Sequence, residues 1–321
     1  MLGSQPQPVD VAAAIQAEKE KLNAVILAHY YQIDEIQDVA DFIGDSLDLA
    51  RKAAATDADV IVFCGVHFMA ETAKILSPEK LVLLPDLEAG CSLAESAPAD
   101  AFARFCTEHP DHVVVTYVNS SAAVKALSDY CVTSSNAVDV VRSIPADKAI
   151  LFAPDQYLAS WVAQEAGRQL TIWEGSCEVH ELFSVSAIAE LKQAHPEAQV
   201  LVHPECPPGV RQFADVIGST KKLLAAVENG AADACYLVVT EPGIIHQMKR
   251  IAPSATFIEA PSDAAPSQDG SCANCNTCPH MKRNTLDKLL ACLQRKSPSI
   301  ELEPTLIERA KLPIERMLAI G

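Results

Sequence analysis

The segment Cys272-Ala-Asn-Cys275-Asn-Thr-Cys278-Pro279 places three thiols in one short loop, a density that points first to metal ligation or thiol redox chemistry. A zinc ribbon needs a second Cys-x-x-Cys pair, which the chain lacks. A bacterial ferredoxin run needs a fourth cysteine just downstream, where His280, Met281 and Lys282 stand instead. The remaining reading is an iron–sulfur ligand set completed from elsewhere in the chain, with zinc and redox thiols as the open alternatives. Cys91 and Cys177 are its natural complements, because about 86 residues separate them, the period of a repeat that runs through the chain. In a four-iron cluster, three thiolates leave one iron without a protein ligand. Such an iron acts as a Lewis acid that holds a hydroxyl, carboxylate or carbonyl and assists loss of water.

Polar residues recur with the same period. His29-Tyr30-Tyr31-Gln32, Tyr117-Val118-Asn119 and His203-Pro204-Glu205 follow apolar runs at equivalent points of the repeat. A lone histidine at a strand end is usually satisfied within the fold, whereas three polar clusters at equivalent ends point to a shared site. Ser46, Ser134 and Thr220 each precede helix-like residues, where a hydroxyl is expected to act as an N-cap. A helix N-terminus with a free hydroxyl is also an anion cradle, so three of them around one axis suit carboxylates or a phosphate.

These residues need a scaffold, and the repeat supplies it. Ala24–His29 aligns with Val113–Tyr117 and Gln199–His203; Val60–Phe63 aligns with Ala149–Phe152 and Cys235–Val239; Leu81–Leu84 aligns with Leu170–Trp173 and Ala255–Ile258. Each copy alternates strand-like Val/Ile/Leu runs with helix-like segments and ends past its fourth strand on cysteine. That alternation predicts an α/β fold of three homologous αβα sandwich units, each with a parallel four-stranded sheet, around a pseudo-threefold axis. The expected units are 9–98, 99–183 and 184–283, the last carrying the cysteine loop and an insertion over Ser262–Ser271. Residues 284–321 are expected to be C-terminal helices packed on the body, and Val9–Leu22 a leading amphipathic helix. Polar strand ends then converge on one central cavity.

At 321 residues and 49% apolar content the chain can bury several cores. Its formal charge of −17 comes without a basic block, which argues against nucleic acid and membrane partners. Met1 to Pro8 lack the features of a signal peptide and no apolar run is long enough to span a bilayer, so a cytoplasmic protein is expected. Eleven cysteines in a reducing compartment do not read as a disulfide framework. Cys64, Cys106, Cys131, Cys235 and Cys292 are expected to be buried small hydrophobes, while Cys206 lies near the His203 loop.

Over nearly its whole length the chain resembles the quinolinate synthase A protein family of bacterial NAD biosynthesis. The resemblance rests on His29-Tyr30-Tyr31-Gln32, Gly44-Asp45-Ser46-Leu47, Ala89-Gly90-Cys91-Ser92, Tyr117-Val118-Asn119-Ser120, Thr133-Ser134-Ser135-Asn136-Ala137, Trp173-Glu174-Gly175-Ser176-Cys177, His203-Pro204-Glu205-Cys206-Pro207, Gly218-Ser219-Thr220 and Cys272 to Pro279. It implies a 4Fe-4S cluster on the pseudo-threefold axis, ligated by Cys91, Cys177 and Cys278. It implies a transferase that condenses iminoaspartate (iminosuccinate) with dihydroxyacetone phosphate to give quinolinate, phosphate and two waters, the imine being supplied by an L-aspartate oxidase or dehydrogenase. By the same resemblance His29, Ser46, Tyr117, Asn119, Ser134, His203, Glu205 and Thr220 bind substrate, and Tyr31 and Glu205 are the catalytic acid–base residues. Glu205, desolvated near the cluster, is expected to have a raised pKa. Many members carry one cysteine in the last motif, so Cys272 and Cys275 are spare. Two rival classes are separable by observation: a zinc-stabilised binding protein would be colourless, and an electron-transfer protein would need a fourth cysteine ligand.

Overall fold

The computed structural model describes residues 10–263 and 276–320. The first sheet holds β1 (Ala24–His29), β2 (Phe42–Gly44), β3 (Val60–Cys64) and β4 (Leu81–Leu83); the second holds β5 (His112–Tyr117), β6 (Tyr130–Val132), β7 (Ala149–Ala153) and β8 (Thr171–Ile172); the third holds β9 (Gln199–Val202), β10 (Val216–Ile217), β11 (Cys235–Val239) and β12 (Thr256–Glu259). The strand orders are β2-β1-β3-β4, β6-β5-β7-β8 and β10-β9-β11-β12, with every pairing parallel. The chain is therefore three copies of one α/β unit.

Why the strands read as unbroken apolar runs follows from the packing. Alternate residues of one strand face opposite sides of its sheet, and both sides are covered. In the first sheet Val25, Leu27, Ile61 and Phe63 enter a large core shared by all three units, while Ile26, Ala28, Val60 and Val62 face a separate core closed by Leu289 and Leu293. The third sheet divides in the same way, with Leu201, Tyr236 and Val238 inward and Val200, Val202, Leu237 and Val239 outward. Each fully buried large side chain contributes roughly 1.5–3 kcal/mol. The shared core also takes Phe152 and Leu158 of the second unit and Ile314 of the C-terminal helix Pro304–Ala319.

A second threefold feature, which the sequence reading passed over, sets the start of each second strand. Asp41, Asp129 and Asp215 each accept a hydrogen bond at 2.8 Å from the backbone N–H of Ile26, Val114 and Val200, respectively. Each aspartate returns its own N–H to the same residue's carbonyl. One carboxylate per unit thus fixes how the second strand docks on the first.

The helices run close to the expected segments: Val11–Lys21 leads the chain, and His67–Leu76, Ala99–Glu108, Gln156–Ala166, Val185–Ala194 and Thr220–Glu228 cover the sheets. After Leu286–Arg295, Leu83 bridges Ser299 in antiparallel sense and Ile300 N–H donates to Val82, so the open edge of the first sheet is covered. The C-terminal helix is pinned from the second unit, where Asn136 Nδ2 donates to the carbonyls of Met317 and Ile320. Among the described residues no helix is long and apolar enough to cross a membrane. Cys272, Cys275 and most of the Ser262–Ser271 insertion lie outside the described residues.

Candidate active site

The C-terminal ends of the three sheets surround one cavity of about 680 Å³ including its mouth. Its wall contains Cys91, Cys177 and Cys278, and also His29, Tyr31, Ser46, Tyr117, Asn119, Ser134, His203, Glu205 and Thr220. All twelve residues singled out in the sequence therefore face the same space. They come from three sheets because every first strand ends on it.

The three thiols have the same local setting. Cys91 precedes the short helix Ser92–Glu95, Cys177 precedes Glu178–Glu181, and Cys278 precedes the 3-10 turn Met281–Arg283. The backbone N–H three residues on, of Ala94, His180 and Met281 respectively, eases ionisation of each thiol. Burial pushes the thiols of Cys91 and Cys278 up to about 12, and that of Cys177 well above its ordinary value; nearby thiols push Cys91 and Cys177 the same way, and Glu241 does so for Cys278. The third cradle is held from outside. Glu241 Oε1 accepts from the N–H of Cys278 at 3.2 Å and pairs with Lys282 at 2.9 Å, while Asn284 Nδ2 donates to the Gly65 carbonyl.

Beside the thiols runs a chain of hydrogen bonds that joins the two expected acid–base residues. Tyr31 Oη lies 2.6 Å from Thr240 Oγ1, and Thr240 Oγ1 lies 3.0 Å from His180 Nε2. His180 Nδ1 is 2.9 Å from Glu205 Oε2 and 3.3 Å from Cys177 Sγ. Tyr117 Oη donates to the other Glu205 oxygen at 2.6 Å. The expected rise in the Glu205 pKa is not observed. Burial does push it up, but the imidazoles of His180 and His203 and the Tyr117 hydroxyl outweigh that and hold it down at about 2. Glu205 rests as a carboxylate. The Tyr31 phenol is raised well above its usual range by burial and by Glu205, so it rests protonated.

His29 and His203 are matched in geometry as well as position. In each, Nδ1 accepts from the backbone N–H two residues on, at 3.1 Å from Tyr31 and 3.4 Å from Glu205. Burial lowers both imidazoles to about 3, so both are neutral. With Nδ1 occupied as an acceptor, Nε2 carries the hydrogen and is a donor. Asn119 Oδ1 is buried with no partner, a polar atom that a bound ligand would satisfy.

The hydroxyl end of the cavity corrects one expectation. Ser46 and Thr220 are the first residues of their helices and not the caps; Asp45 accepts from Leu47 and Asp48, and Ser219 accepts from Lys222. Ser134 lies before Asn136, which precedes the helix Ala137–Ser143. Capping is done one residue earlier, which leaves the Ser46 and Thr220 hydroxyls free of that duty. Ser135 Oγ donates to Asp45 Oδ2 at 2.7 Å and lies 2.8 Å from Ser219 Oγ, so three equivalent loops meet in one cluster.

Several contributors escaped the sequence reading: His180, Thr240, Glu241, Lys282 and the Asp45–Ser135–Ser219 cluster. Thr240-Glu241 follows β11 directly, and applying the strand-end rule to third strands as well as first strands would have found it. Cys64, Cys131 and Cys292 are buried as expected, but Cys106 and Cys235 are partly exposed. Cys206 is buried, with its sulfur directed at the Val239 carbonyl, away from the cavity.

The family model described as Quinolinate synthetase A protein matches residues 13–319. The chain belongs to the quinolinate synthetase A protein family. It is 59% identical over 305 residues to a quinolinate synthase of Prochlorococcus marinus (strain MIT 9303), covering 95% of this chain and 89% of that protein. It is 58% identical over 316 residues to one of Thermosynechococcus vestitus, covering 98% and 97%. A third relative, from Synechococcus sp., is 56% identical over 314 residues, covering 98% of this chain and 96% of its own length.

The family implies a metal cofactor, and the cavity offers two donor sets. Cys177, His180 and Glu205 have ligand atoms within 4.8 Å of one another. Using them would consume the proton chain and leave the cradles of Cys91 and Cys278 without purpose. Cys91, Cys177 and Cys278 fit a thiolate-bound group better, because all three line the one cavity, each ahead of a helical turn whose backbone N–H favours the thiolate.

Proposed function

We propose that this chain is a quinolinate synthase of NAD biosynthesis, which condenses iminoaspartate with dihydroxyacetone phosphate and releases phosphate and two waters. The observation that carries this reading is the convergence of three equivalent thiol cradles and an unbroken Tyr31–Thr240–His180–Glu205–Tyr117 chain on one cavity. Cys91, Cys177 and Cys278 would hold a 4Fe-4S cluster. When bound, it supplies a Lewis acid through the iron that no protein thiolate ligates. Exposed cluster chemistry suits a reducing compartment, in keeping with a cytoplasmic enzyme supplied with imine by an aspartate oxidase or dehydrogenase.

The chain's own residues account for binding and proton movement. His29 and His203 present neutral Nε2–H donors, which suit substrate carboxylates. Ser46, Ser134 and Thr220 form the opposite end, where hydroxyls and helix N-termini suit phosphate. Glu205, already ionised, accepts a proton at Oε1 or Oε2, and an anionic substrate beside it raises its proton affinity. Tyr31 returns a proton from its phenol, with Thr240 and His180 as the hydrogen-bonded path between the two. Burial of the whole chain excludes bulk water from these exchanges.

The test is anaerobic. Protein reconstituted with iron and sulfide is assayed for quinolinate from iminoaspartate and dihydroxyacetone phosphate, with iron and sulfide counted on the same sample. Quinolinate formation with about four irons per chain is expected. Full cluster content without quinolinate would overturn the activity, and quinolinate formation by metal-free protein would overturn the cofactor.

A further inference from the structure

At the far ends of the third sheet's strands, opposite the cavity, a second set of ligand-type side chains meets. His195, Glu197 and Cys235 have ligand atoms that all lie within 4.8 Å of one another, and His195 Nδ1 is 3.6 Å from Glu197 Oε1. Each is set by a regular element. His195 caps the end of helix Val185–Ala194, Glu197 stands two residues before β9, and Cys235 opens β11. Because Tyr236 pairs with Gln199, Cys235 sits alongside the residue that follows Glu197.

The second unit provides an internal comparison. It carries the same turn, His109-Pro110-Asp111 against His195-Pro196-Glu197, and His109 likewise caps its helix, Ala99–Glu108. There the imidazole Nδ1 lies 2.9 Å from the Phe105 carbonyl of its own helix, and Ala149 occupies the place of Cys235. The turn by itself is thus a device of the repeat. What the third unit adds is a thiol, together with an imidazole facing the carboxylate.

We propose that His195, Glu197 and Cys235 form a second metal site, for zinc or a similar borderline-soft divalent ion, with water in the fourth position. A thiolate, an imidazole and a carboxylate are the donors that zinc takes, whereas magnesium and calcium take oxygen sets. The side chains are partly or fully exposed, so an ion reaches them from solvent. The site ties a helix end to the starts of two adjacent strands at the end of the sheet remote from the cavity. Its effect is therefore on stability and not on the condensation, because an ion that binds only the folded chain raises its melting temperature.

The experiment uses cluster-loaded protein with Cys272→Ser and Cys275→Ser, so that the loop thiols outside the described residues do not compete. It is incubated with zinc, desalted anaerobically and measured for zinc, iron and melting temperature. Retention of one zinc per chain with a rise in melting temperature is expected. Both are lost in Cys235→Ala, with iron content unchanged, and both persist in His109→Ala, the equivalent turn. Ala149 shows that alanine is accommodated at this point of the unit, so the Cys235 variant should fold; circular dichroism checks it. Zinc retention unaffected by Cys235→Ala, or no zinc retained by the parent, overturns the proposal.

Discussion

The three cysteine corners and the three strand-end corners of the cavity have evolved from the same repeat in opposite ways. The cysteine corners are alike: each cysteine precedes a helical turn, and the backbone N–H three residues on favours its thiolate. The strand ends have diverged to His29/Tyr31, Tyr117/Asn119 and His203/Glu205. His29 and His203 still share one hydrogen-bond geometry, while the residue two positions on has become a phenol in one unit and a carboxylate in the other. A cluster on the axis, as proposed, would present similar corners to all three units and keep them alike. The proposed pair of dissimilar substrates would not, leaving the strand ends free to specialise.

That contrast can be broken most directly at the thiols. Replacement of Cys91, Cys177 or Cys278 by alanine is expected to remove the cluster and reduce quinolinate formation to background in every case, as iron and sulfide counts beside activity will show. A single variant that keeps a full cluster would break the equivalence of the three corners.

At the strand ends the effect should be large but confined to turnover. Glu205→Gln keeps size and the hydrogen bond from Tyr117 but cannot take up a proton. A fall in rate on the order of 100- to 10,000-fold is expected, with iron content and melting temperature near the parent's. If instead the variant loses stability and retains its rate per folded molecule, Glu205 is structural and the two kinds of corner differ less than argued.

Glu241 tests whether the third cysteine corner needs its outside support. Glu241→Gln removes the charge that pairs with Lys282 and weakens the acceptor for the Cys278 N–H. A loss of about 1–3 kcal/mol in chemical denaturation is expected, together with faster release of iron to a chelator. Unchanged chelation kinetics would mean that the Cys278 cradle stands on its own turn.

The smallest effects should fall on the scaffold that both kinds of corner share. Asp129→Ala is expected to cost about 1 kcal/mol, the usual worth of one such hydrogen bond. Asp41→Ala and Asp215→Ala should cost slightly more, since those carboxylates also pair with Lys19 and Lys192. Denaturant midpoints on the three variants would show whether the units are as equivalent energetically as they are in geometry.

Much of this was legible in one chain because a repeat is its own alignment. The period placed Cys91, Cys177 and the cysteine loop at one point of the topology, and strand ends in parallel sheets point to one face, so the regions of the site followed from the repeat, while the choice of Cys278 and of the individual binding and acid–base residues came from the family resemblance. Helix and strand positions followed from apolar runs whose two faces are both buried. Three things needed the tertiary structure. The ionisation of Glu205 is a balance between desolvation and its partners, and His180, one of the strongest of them, arrives from a different unit. The capping roles of Asp45 and Ser219 depend on which residue takes the first helical turn, a one-residue matter that composition does not decide. The proton chain from Tyr31 to Glu205 passes through Thr240 and His180, residues distant in sequence that only the closing of three sheets on one axis brings within hydrogen-bond reach. Sequence determined which groups each unit carries to the axis, because that is set by local periodicity. How those groups partner one another, and hence how they ionise, was decided by contacts between units, which no local pattern encodes.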